Sequence, residues 1–314
     1  MRILVLGGTS FVGRAVVEHA LASGHEITLF SRGRTGSELF PQVERRVGDR
    51  DAGDYASLAD GAWDAVVDVS AYVPRHVQQA ADALADRAGR YLFISTGSVY
   101  DRAKAPQDGL DEDCPRLAPE RGTEEVTGDT YGPLKVACED DVAARWGARA
   151  TVVRPGVVAG PYDPTDRFTS WVRRAARGGR VALPGRPEQP VQLVDSRDLA
   201  HLVVALVADD RPGTYNAVGP AEPTTLAGML QTCAAAAGTT LEVVPVPYES
   251  APLVQPDPAA DVLSRRSAAR ARAVGLPATP LQTTAADVLA WDRERGEPPL
   301  QVGLSPDREA ELLG

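Results

Sequence analysis

The chain has few of the residues that build disulfide frameworks and metal sites. Among its 314 residues, only three are cysteine and four are histidine. They are Cys114, Cys138, Cys233, His19, His25, His76 and His201. The cysteines are odd in number and form no C-x-x-C pair, and the histidines cluster neither with them nor with one another. This distribution argues against a disulfide-stapled domain and predicts no metal site.

The sequence also lacks a long hydrophobic run and an excess of positive charge. No apolar stretch approaches the roughly 18 residues of a membrane span, and the N-terminal one is too short and too rich in glycine for a signal peptide. The net charge is -10 and the sequence pI is about 5.0. We therefore expect a cytoplasmic globular protein with no general surface for nucleic acid or for a membrane.

A glycine-rich turn near the N-terminus is the most informative motif that is present. The apolar run 3–6 precedes Gly7 and Gly8, and Gly13 opens an amphipathic segment, so the order predicts a strand, a tight turn and a helix. Glycine lets a backbone approach a pyrophosphate closely, and a helix N-terminus offers free N–H groups. The turn predicts a dinucleotide phosphate site, with an ordinary βα turn as the alternative. The cofactor residues expected here are Gly7, Thr9, Ser10, Phe11, Val12 and Gly13.

The second predicted strand, residues 26–30, ends in a basic segment. Ser31, Arg32 and Arg34 follow it, and the acidic residue that binds the ribose 2′-hydroxyl of NAD in dinucleotide folds is absent. Arginine at this place suits a 2′-phosphate instead. The segment therefore favours NADP(H) over NAD(H), with a solvated basic loop as the alternative.

Further cofactor contacts are expected after the third and fourth strands. Asp49 and Arg50 follow the strand signal at Glu44–Val47, and Ser70 follows the one at residues 62–68. Ligands of parallel sheets lie at the carboxyl ends of the strands, so these residues are candidates for cofactor binding. Asp49 would accept a hydrogen bond from the adenine amino group, or it is simply a turn residue.

Strands alternate with helical stretches through the first half of the chain, including a predicted helix at 75–88. This alternation is typical of an α/β fold with a parallel sheet covered on both faces. Residues 101–129 carry acidic residues and prolines without periodicity, and they predict a long surface loop. Segment 155–161 is expected to leave the sheet, and the last third, with a terminal helix at 284–295, reads as a smaller α+β unit.

A Tyr-x-x-x-Lys pair follows the long loop. With Thr130 as N-cap and Pro133 in the first turn, a helix to about residue 146 places Tyr131 and Lys135 on one face. A phenol has a pKa of about 10, and a neighbouring ammonium stabilises its phenolate, so the pair suits proton transfer. Thr96 lies at the end of the preceding strand, where chemistry is expected. The alternative is a structural tyrosine beside a solvated lysine.

With these motifs in this order, the chain to about residue 218 resembles the extended short-chain dehydrogenase/reductase family, which contains nucleotide-sugar epimerases and dehydratases. The resemblance implies that Tyr131 is the proton donor or base, that Lys135 holds the nicotinamide ribose, and that Thr96 hydrogen-bonds the substrate oxygen. The residues it places at the pyrophosphate are Gly7, Ser10 and Gly13.

The resemblance also implies an organisation for the whole chain. We expect a Rossmann-type doubly wound parallel sheet with a smaller C-terminal α+β substrate-binding domain. Residues 1–156 plus about 190–218 would form the NADP-binding domain, and about 157–189 and 219–314 the substrate-binding region. A homodimer is compatible with the resemblance.

Two departures from the family narrow the expected function. Gly97 and Ser98 follow Thr96 where the 4,6-dehydratases carry Asp-Glu, and Pro155 and Gly156 replace the aromatic-Asn pair of many nucleotide-sugar members. The glycine turn resembles the atypical branch that includes chloroplast stem-loop RNA-binding proteins. We expect an NAD(P)-dependent reductase or dehydrogenase for a carbonyl or secondary alcohol of a small polar substrate. The alternatives are an epimerase that retains its cofactor and a non-catalytic NADP-sensing or RNA-binding protein.

Overall fold

The glycine-rich segment forms the turn between the first strand and the first helix of the protein. The computed structural model describes residues 1–106 and 109–314, and these residues divide into two units. The first unit comprises Met1–Gly156, Arg197–Ala217 and Ser267–Pro277. The second unit comprises Val157–Ser196, Val218–Arg266 and Ala278–Gly314.

The secondary structure follows the alternation that the sequence predicts. The strands are β1 (Arg2–Leu6), β2 (Glu26–Ser31), β3 (Glu44–Val47), β4 (Trp63–Asp68), β5 (Ala88–Ile94), β6 (Ala150–Pro155), β7 (Val157–Ala159), β8 (Gly179–Leu183), β9 (Pro190–Val191), β10 (Leu193–Asp195), β11 (Gly213–Ala217), β12 (Thr224–Thr225) and β13 (Leu241–Pro245). The helices are α1 (Phe11–Ala22), α2 (Pro74–Leu84), α3 (Tyr131–Trp146), α4 (Thr169–Ala176), α5 (Ser196–Ala208), α6 (Leu226–Ala237), α7 (Ala269–Ala273), α8 (Leu281–Glu294) and α9 (Pro306–Leu313).

A parallel sheet forms the centre of the first unit. Among the described residues it has seven strands in the order β11-β6-β5-β4-β1-β2-β3, and every neighbouring pair is parallel. The strand order reverses at β1, which lies between β2 and β4, and ligands of such sheets bind beyond the carboxyl ends of the strands at this point. The predicted Rossmann-type doubly wound sheet is therefore confirmed.

The core of the first unit explains why the apolar runs become central strands. Leu4 of β1, Val66 of β4 and Phe93 of β5 are fully buried, and Val77 and Leu84 of α2 pack into the same cluster. Burial of each such side chain contributes about 1.5 to 3 kcal/mol. Strands covered on both faces cannot alternate between apolar and polar residues, which is why these segments read as continuous hydrophobic runs.

One predicted helix boundary is wrong, and one helix was not predicted. Helix α2 ends at Leu84 instead of residue 88, because Ala88 already pairs with Trp63 in the β5–β4 ladder. Helix α9 lies beyond the expected terminal helix and was not predicted. The Ser305 hydroxyl accepts the N–H of Arg308 and so caps α9.

The second unit has its own core, with α4, α6 and α8 packed together. Its described strands form two-stranded sheets: β7 pairs with β10, β8 with β13 and β9 with β12. The expectation that segment 155–161 leaves the central sheet is confirmed, because Val157–Ala159 lies in the second unit and pairs there in parallel with Leu193–Asp195.

Segment Ser267–Pro277 lies in the first unit, and the assignment of 219–314 to a substrate-binding region stays a prediction. The Ser267 N–H donates to the Leu110 carbonyl at 2.7 Å, and Arg270 pairs with Glu112 at 3.5 Å. Leu110 and Glu112 belong to the predicted loop 101–129, of which residues 107 and 108 lie outside the described residues. Across the part of the chain that the structure describes, no helix has the length and apolar character needed to cross a membrane.

Candidate dinucleotide and catalytic site

The turn after β1 closes tightly onto the first turn of α1. Gly7 has a φ of +92°, in the left-handed region that favours glycine. A Cβ at position 13 would lie 1.9 Å from the Gly7 carbonyl oxygen, so Gly13 is required by the close approach of helix to turn. The turn therefore admits only glycine at these two positions, which is what the predicted phosphate cradle requires.

The N-terminus of α1 keeps its partial positive charge. Ser10 occupies the N-cap position, but its side chain makes no capping hydrogen bond, and the first turn carries no acidic residue. Phe11 has a φ of 35°, a conformation that is uncommon for a residue other than glycine. The predicted cofactor residues Thr9 and Val12 flank it, and the arrangement fits an anion such as a pyrophosphate.

The basic segment after β2 lies against this turn. A Cβ at Gly36 would come within 3.0 Å of the Thr9 carbonyl oxygen, and the Ser31 hydroxyl accepts the N–H of Gly33 at 3.3 Å. Arg32 and Arg34 are exposed.

Both arginines face carboxylates of the segment after β3. Arg32 lies 3.7 Å from Asp51 and Arg34 lies 3.9 Å from Asp49. Exposed pairs of this kind contribute at most about 1 kcal/mol, so a ligand phosphate can replace them. Asp49 also accepts the N–H of Asp51 at 3.1 Å, which is the turn role that the sequence analysis kept as an alternative.

Arg50 is buried, and its five N–H groups all have partners within the protein. Nη1 and Nη2 donate to the two carboxylate oxygens of Asp68 at 2.6 and 2.8 Å, and Nη1 also donates to Ser70 Oγ at 2.8 Å. Its remaining bonds go to Tyr55 Oη at 3.2 Å and to the His76 carbonyl at 3.1 Å. Every side-chain N–H of Arg50 is thus engaged within the protein, and its predicted contact with a cofactor stays a prediction.

The Arg50–Asp68 pair instead fixes the end of β4. Burial alone would raise the pKa of the Asp68 carboxyl, but the Arg50 guanidinium outweighs burial and holds that pKa below its usual value. Ser70 Oγ donates to the Leu6 carbonyl at 3.1 Å, and a Cβ at Gly7 would lie 2.7 Å from the Ser70 Cβ. The network therefore ties the end of β4 to the glycine turn.

Lys135 is buried in the first unit, with 3% of its surface exposed. Its Nζ donates to the carbonyls of Ala71 at 2.8 Å and Ile94 at 2.7 Å, and it lies 4.1 Å from the centroid of the Phe93 ring. Burial lowers the pKa of the ammonium to about 8, although the nearby Cys138 and other acidic groups raise it. An ammonium has three N–H groups, so one remains for a ligand after the two carbonyls are served.

Thr96 lies two residues after β5, at the N-cap of a short 3₁₀ turn, Gly97–Val99. Its hydroxyl oxygen accepts the Ser98 N–H at 3.1 Å, and its proton is directed to Ser98 Oγ at 3.3 Å. The second contact is long for a bond between hydroxyl groups, so a substrate oxygen can take its place. The backbone of Thr96 is therefore fixed, while its hydroxyl can donate to a substrate oxygen in place of Ser98 Oγ.

Tyr131 begins α3 and is half-buried, with its ring 6.3 Å from that of the exposed Tyr72. Thr130 occupies the predicted N-cap position of α3. Its hydroxyl makes no capping bond to the helix, because it donates to the Glu125 carbonyl and accepts the N–H of Thr127. The predicted spacing of Tyr131 and Lys135 on one helix is confirmed, since both lie in α3 four residues apart.

Several residues of the site were not found from the sequence. The carbonyl groups of Ala71 and Ile94 bind Lys135, and backbone atoms leave no trace in a pattern of side chains. Asp68 was detectable, because a carboxylate that directly follows the apolar run Ala65–Val67 must have a partner if it is buried. No cluster of three or more His, Cys, Asp or Glu side chains suited to a metal ion occurs among residues 1–106 and 109–314.

Comparisons with known proteins agree with this geometry. The model of the NAD dependent epimerase/dehydratase family matches residues 3–218. The chain is 24% identical over 256 residues to the chloroplast stem-loop binding protein of 41 kDa b from Arabidopsis thaliana, covering 76% of the chain and 63% of that protein. It is 30% identical over 224 residues to a 2-alkyl-3-oxoalkanoate reductase from Stenotrophomonas maltophilia, covering 65% and 64%. The chain thus matches less than two thirds of the length of these relatives.

The fold is shared with solved structures. UDP-glucose 4-epimerase of Thermus thermophilus in complex with NAD has a TM-score of 0.69 and 21% identity, covering 93% of this chain and 99% of that one. With the glycine turn, the Tyr-x-x-x-Lys helix and the matched family model together, the chain belongs to the NAD-dependent epimerase/dehydratase family within the extended short-chain dehydrogenases/reductases.

Proposed function

We propose that the protein is an NADP(H)-dependent oxidoreductase that acts on a carbonyl or secondary alcohol of a small polar substrate. The observation that carries this proposal is the burial and hydrogen bonding of the Lys135 ammonium. The ammonium is buried, and two of its N–H groups donate to backbone carbonyls. The third N–H can donate a hydrogen bond to a ribose hydroxyl. A solvated lysine, the alternative kept from the sequence, would not be buried.

The proposed cofactor contacts follow the edge of the sheet. Gly7, Thr9, Ser10 and the first residues of α1 (Phe11, Val12 and Gly13) would hold the pyrophosphate. Ser31, Arg32 and Arg34 would hold the 2′-phosphate, and Asp49 the adenine amino group. Arg50 and Ser70 would act indirectly, by fixing the end of β4 against the turn. When bound, the nicotinamide supplies or accepts the hydride.

The chain's own residues would manage the proton. In the reductive direction Tyr131 gives its phenolic proton to the substrate oxygen, and in the oxidative direction it takes that proton back. The charge of Lys135 stabilises the phenolate that forms. Thr96 donates its hydroxyl proton to the same substrate oxygen, after turning away from Ser98.

A 3-oxo acid is the first substrate class to test, since a similar protein is named as a 2-alkyl-3-oxoalkanoate reductase. The experiment follows NADPH and NADH consumption with a 2-alkyl-3-oxoalkanoate, simple ketones and UDP-glucose, using Tyr131→Phe as control. Consumption of NADPH that depends on a carbonyl and is lost in Tyr131→Phe supports the proposal. Interconversion of UDP-glucose without net consumption would replace it with an epimerase.

A non-catalytic role is the second candidate, and the similarity to a chloroplast stem-loop binding protein favours it. The net charge of -10 weighs against a nucleic-acid surface. NADPH binding without turnover of any tested carbonyl, together with retention of a stem-loop RNA in a gel-shift assay, would favour this candidate.

A further inference from the structure

We propose that Glu139 is the positioning residue of this site: its carboxylate locks the segment that carries Thr96 onto α3 and lies one helical turn from Lys135. This inference rests on the proposed function, because it assigns Glu139 a task toward the residues that would carry out the reaction. Glu139 itself touches neither substrate nor cofactor.

Glu139 is buried, with 4% of its surface exposed, and each of its carboxylate oxygens accepts two hydrogen bonds. Oε1 accepts from Ser95 Oγ at 2.6 Å and from Arg154 Nε at 2.9 Å. Oε2 accepts from Arg154 Nη2 at 2.7 Å and from Arg116 Nη1 at 3.0 Å. One carboxylate thus joins α3 to β5, β6 and the loop after β5.

The contacts of α3 on β5 fall on consecutive residues. Lys135 donates to the Ile94 carbonyl, and Glu139, one helical turn later, accepts from the Ser95 hydroxyl. The next residue in the chain is Thr96. The helix that presents Tyr131 therefore grips the strand end at the two positions that precede Thr96.

The charge of Glu139 also acts on Lys135. The groups that raise the pKa of this lysine are Cys138 and Glu139 on α3 and Asp68 on β4, against burial and Arg50, which lower it. Arg154 is 4% exposed and carries its own positive charge into the same region. A neutral residue at position 139 would leave two arginines without this carboxylate and would make the ammonium of Lys135 easier to deprotonate.

Loss of that proton has a direct consequence for binding. A neutral amine has two N–H groups, and the carbonyls of Ala71 and Ile94 already take two. The third N–H, which we propose donates to the ribose hydroxyl, is then lost, so NADPH affinity should fall as Lys135 deprotonates.

The chain offers an unusually direct measurement, because Lys104 and Lys135 are its only lysines. Labelling lysine with ¹³C lets NMR follow both titrations, and the exposed Lys104 serves as internal reference. Glu139→Gln should lower the titration midpoint of Lys135 by about one pH unit. Arg116→Gln removes a partly exposed cation from the same carboxylate and should move the midpoint upward.

Two control variants make the same charge changes at another ion pair between α3 and the loop before it. Asp141 of α3 pairs with Arg121 of the loop at 2.9 Å, and this pair does not include Ser95 or Arg154. Asp141→Asn and Arg121→Gln should leave the Lys135 midpoint close to that of the unmodified protein. The NADPH dissociation constant, measured on the same samples across pH, should rise through the same midpoint as the Lys135 titration.

The positioning role is supported if the Lys135 midpoint shifts in opposite directions in Glu139→Gln and Arg116→Gln and does not change in the two control variants. An unchanged Lys135 midpoint, or equal shifts in the control variants, overturns the positioning role. This holds even if the free energy of unfolding falls, because a merely structural ion pair would change stability alone. If Glu139→Gln does not fold, the sign of the Arg116→Gln shift decides. Failure of the unmodified protein to bind NADPH at any pH would instead overturn the proposed function.

Discussion

Gly132 lies so close to Ser98 that a Cβ at position 132 would come within 2.3 Å of the Ser98 carbonyl oxygen. The first turn of α3 and the 3₁₀ turn after β5 are therefore in backbone contact. This contact sets Tyr131, at the start of α3, beside the turn that Thr96 caps. The close approach depends on glycine because backbone, unlike a flexible side chain, cannot move aside.

Replacing Gly132 with alanine should force these turns apart. We expect a loss of about 1 to 3 kcal/mol in the free energy of unfolding, the usual cost of overpacking, and a fall in turnover of at least about 10-fold. Urea unfolding and steady-state kinetics provide the measurement. Gly128→Ala is the matched control, since a Cβ at Gly128 meets nothing within 4 Å. Equal effects of the two substitutions would show that the contact is unimportant.

Thr96 should separate binding from chemistry. Thr96→Val removes a hydrogen bond to the reacting oxygen and also the cap on the Ser98 N–H, so we expect about a 10²-fold loss of kcat and about 1 kcal/mol of stability. NADPH affinity should stay nearly constant, because the phosphate cradle is untouched. Thr96→Ser keeps the hydroxyl and should restore both quantities. A collapse of NADPH affinity in Thr96→Val would contradict the assignment.

The sheet was predictable because its determinants are local. The apolar run 3–6, the glycine turn and the strand signal at Glu44–Val47 each specify an element without reference to distant residues. The end of α2 was not predictable in this way. Its alanine-rich sequence favours helix up to residue 88, and only the pairing of Ala88 with Trp63 reveals that the strand begins there.

The site was predictable only in part, for a related reason. The spacing of Tyr131 and Lys135 follows from helix periodicity, but the partners of Lys135 are backbone carbonyls. Arg50 looks like a ligand residue because it follows a strand. Its engagement depends on Asp68, which is 18 residues away in the chain and becomes a neighbour only in the folded sheet.

Cofactor preference should depend on Arg32. Its pair with Asp51 is exposed and weak, so the side chain is free to bind a 2′-phosphate. Arg32→Ala should weaken NADPH by about 1 to 3 kcal/mol and NADH much less, as measured by fluorescence titration. Arg2→Ala, which removes an exposed arginine near the opposite end of β1, is the control. Equal affinity of the unmodified protein for both cofactors would remove the basis for NADP preference.

Tyr131 and Lys135 should behave as one catalytic unit. Tyr131→Phe deletes only the hydroxyl, so we expect an intact fold and a 10² to 10⁴-fold fall in kcat/KM, the usual scale of acid-base catalysis. Lys135→Met should reduce both turnover and NADPH affinity. The double variant should be far less impaired than the product of the single effects. Strict additivity in this double-mutant cycle, or a fully active Tyr131→Phe, would favour a binding protein instead.

The burial of Lys135 should also appear in the dependence of stability on pH. Its pKa is about 8 in the folded protein and 10.5 for an unperturbed lysine. Between these values the unfolded chain binds more protons than the folded one, so this residue makes the free energy of unfolding increase as the pH rises. Below pH 8 both states are protonated, and the full cost of burying the charge is present.

The shift corresponds to about 3 to 4 kcal/mol at most, since one pKa unit is worth about 1.4 kcal/mol. Relative to Lys135→Met, the unmodified protein should therefore gain stability from about pH 8 to pH 10.5 and show a constant difference below that range. Urea unfolding of both proteins at a series of pH values measures this difference. Lys104→Met is the matched control, and the same slope in both variants would mean that Lys135 is not the group that titrates.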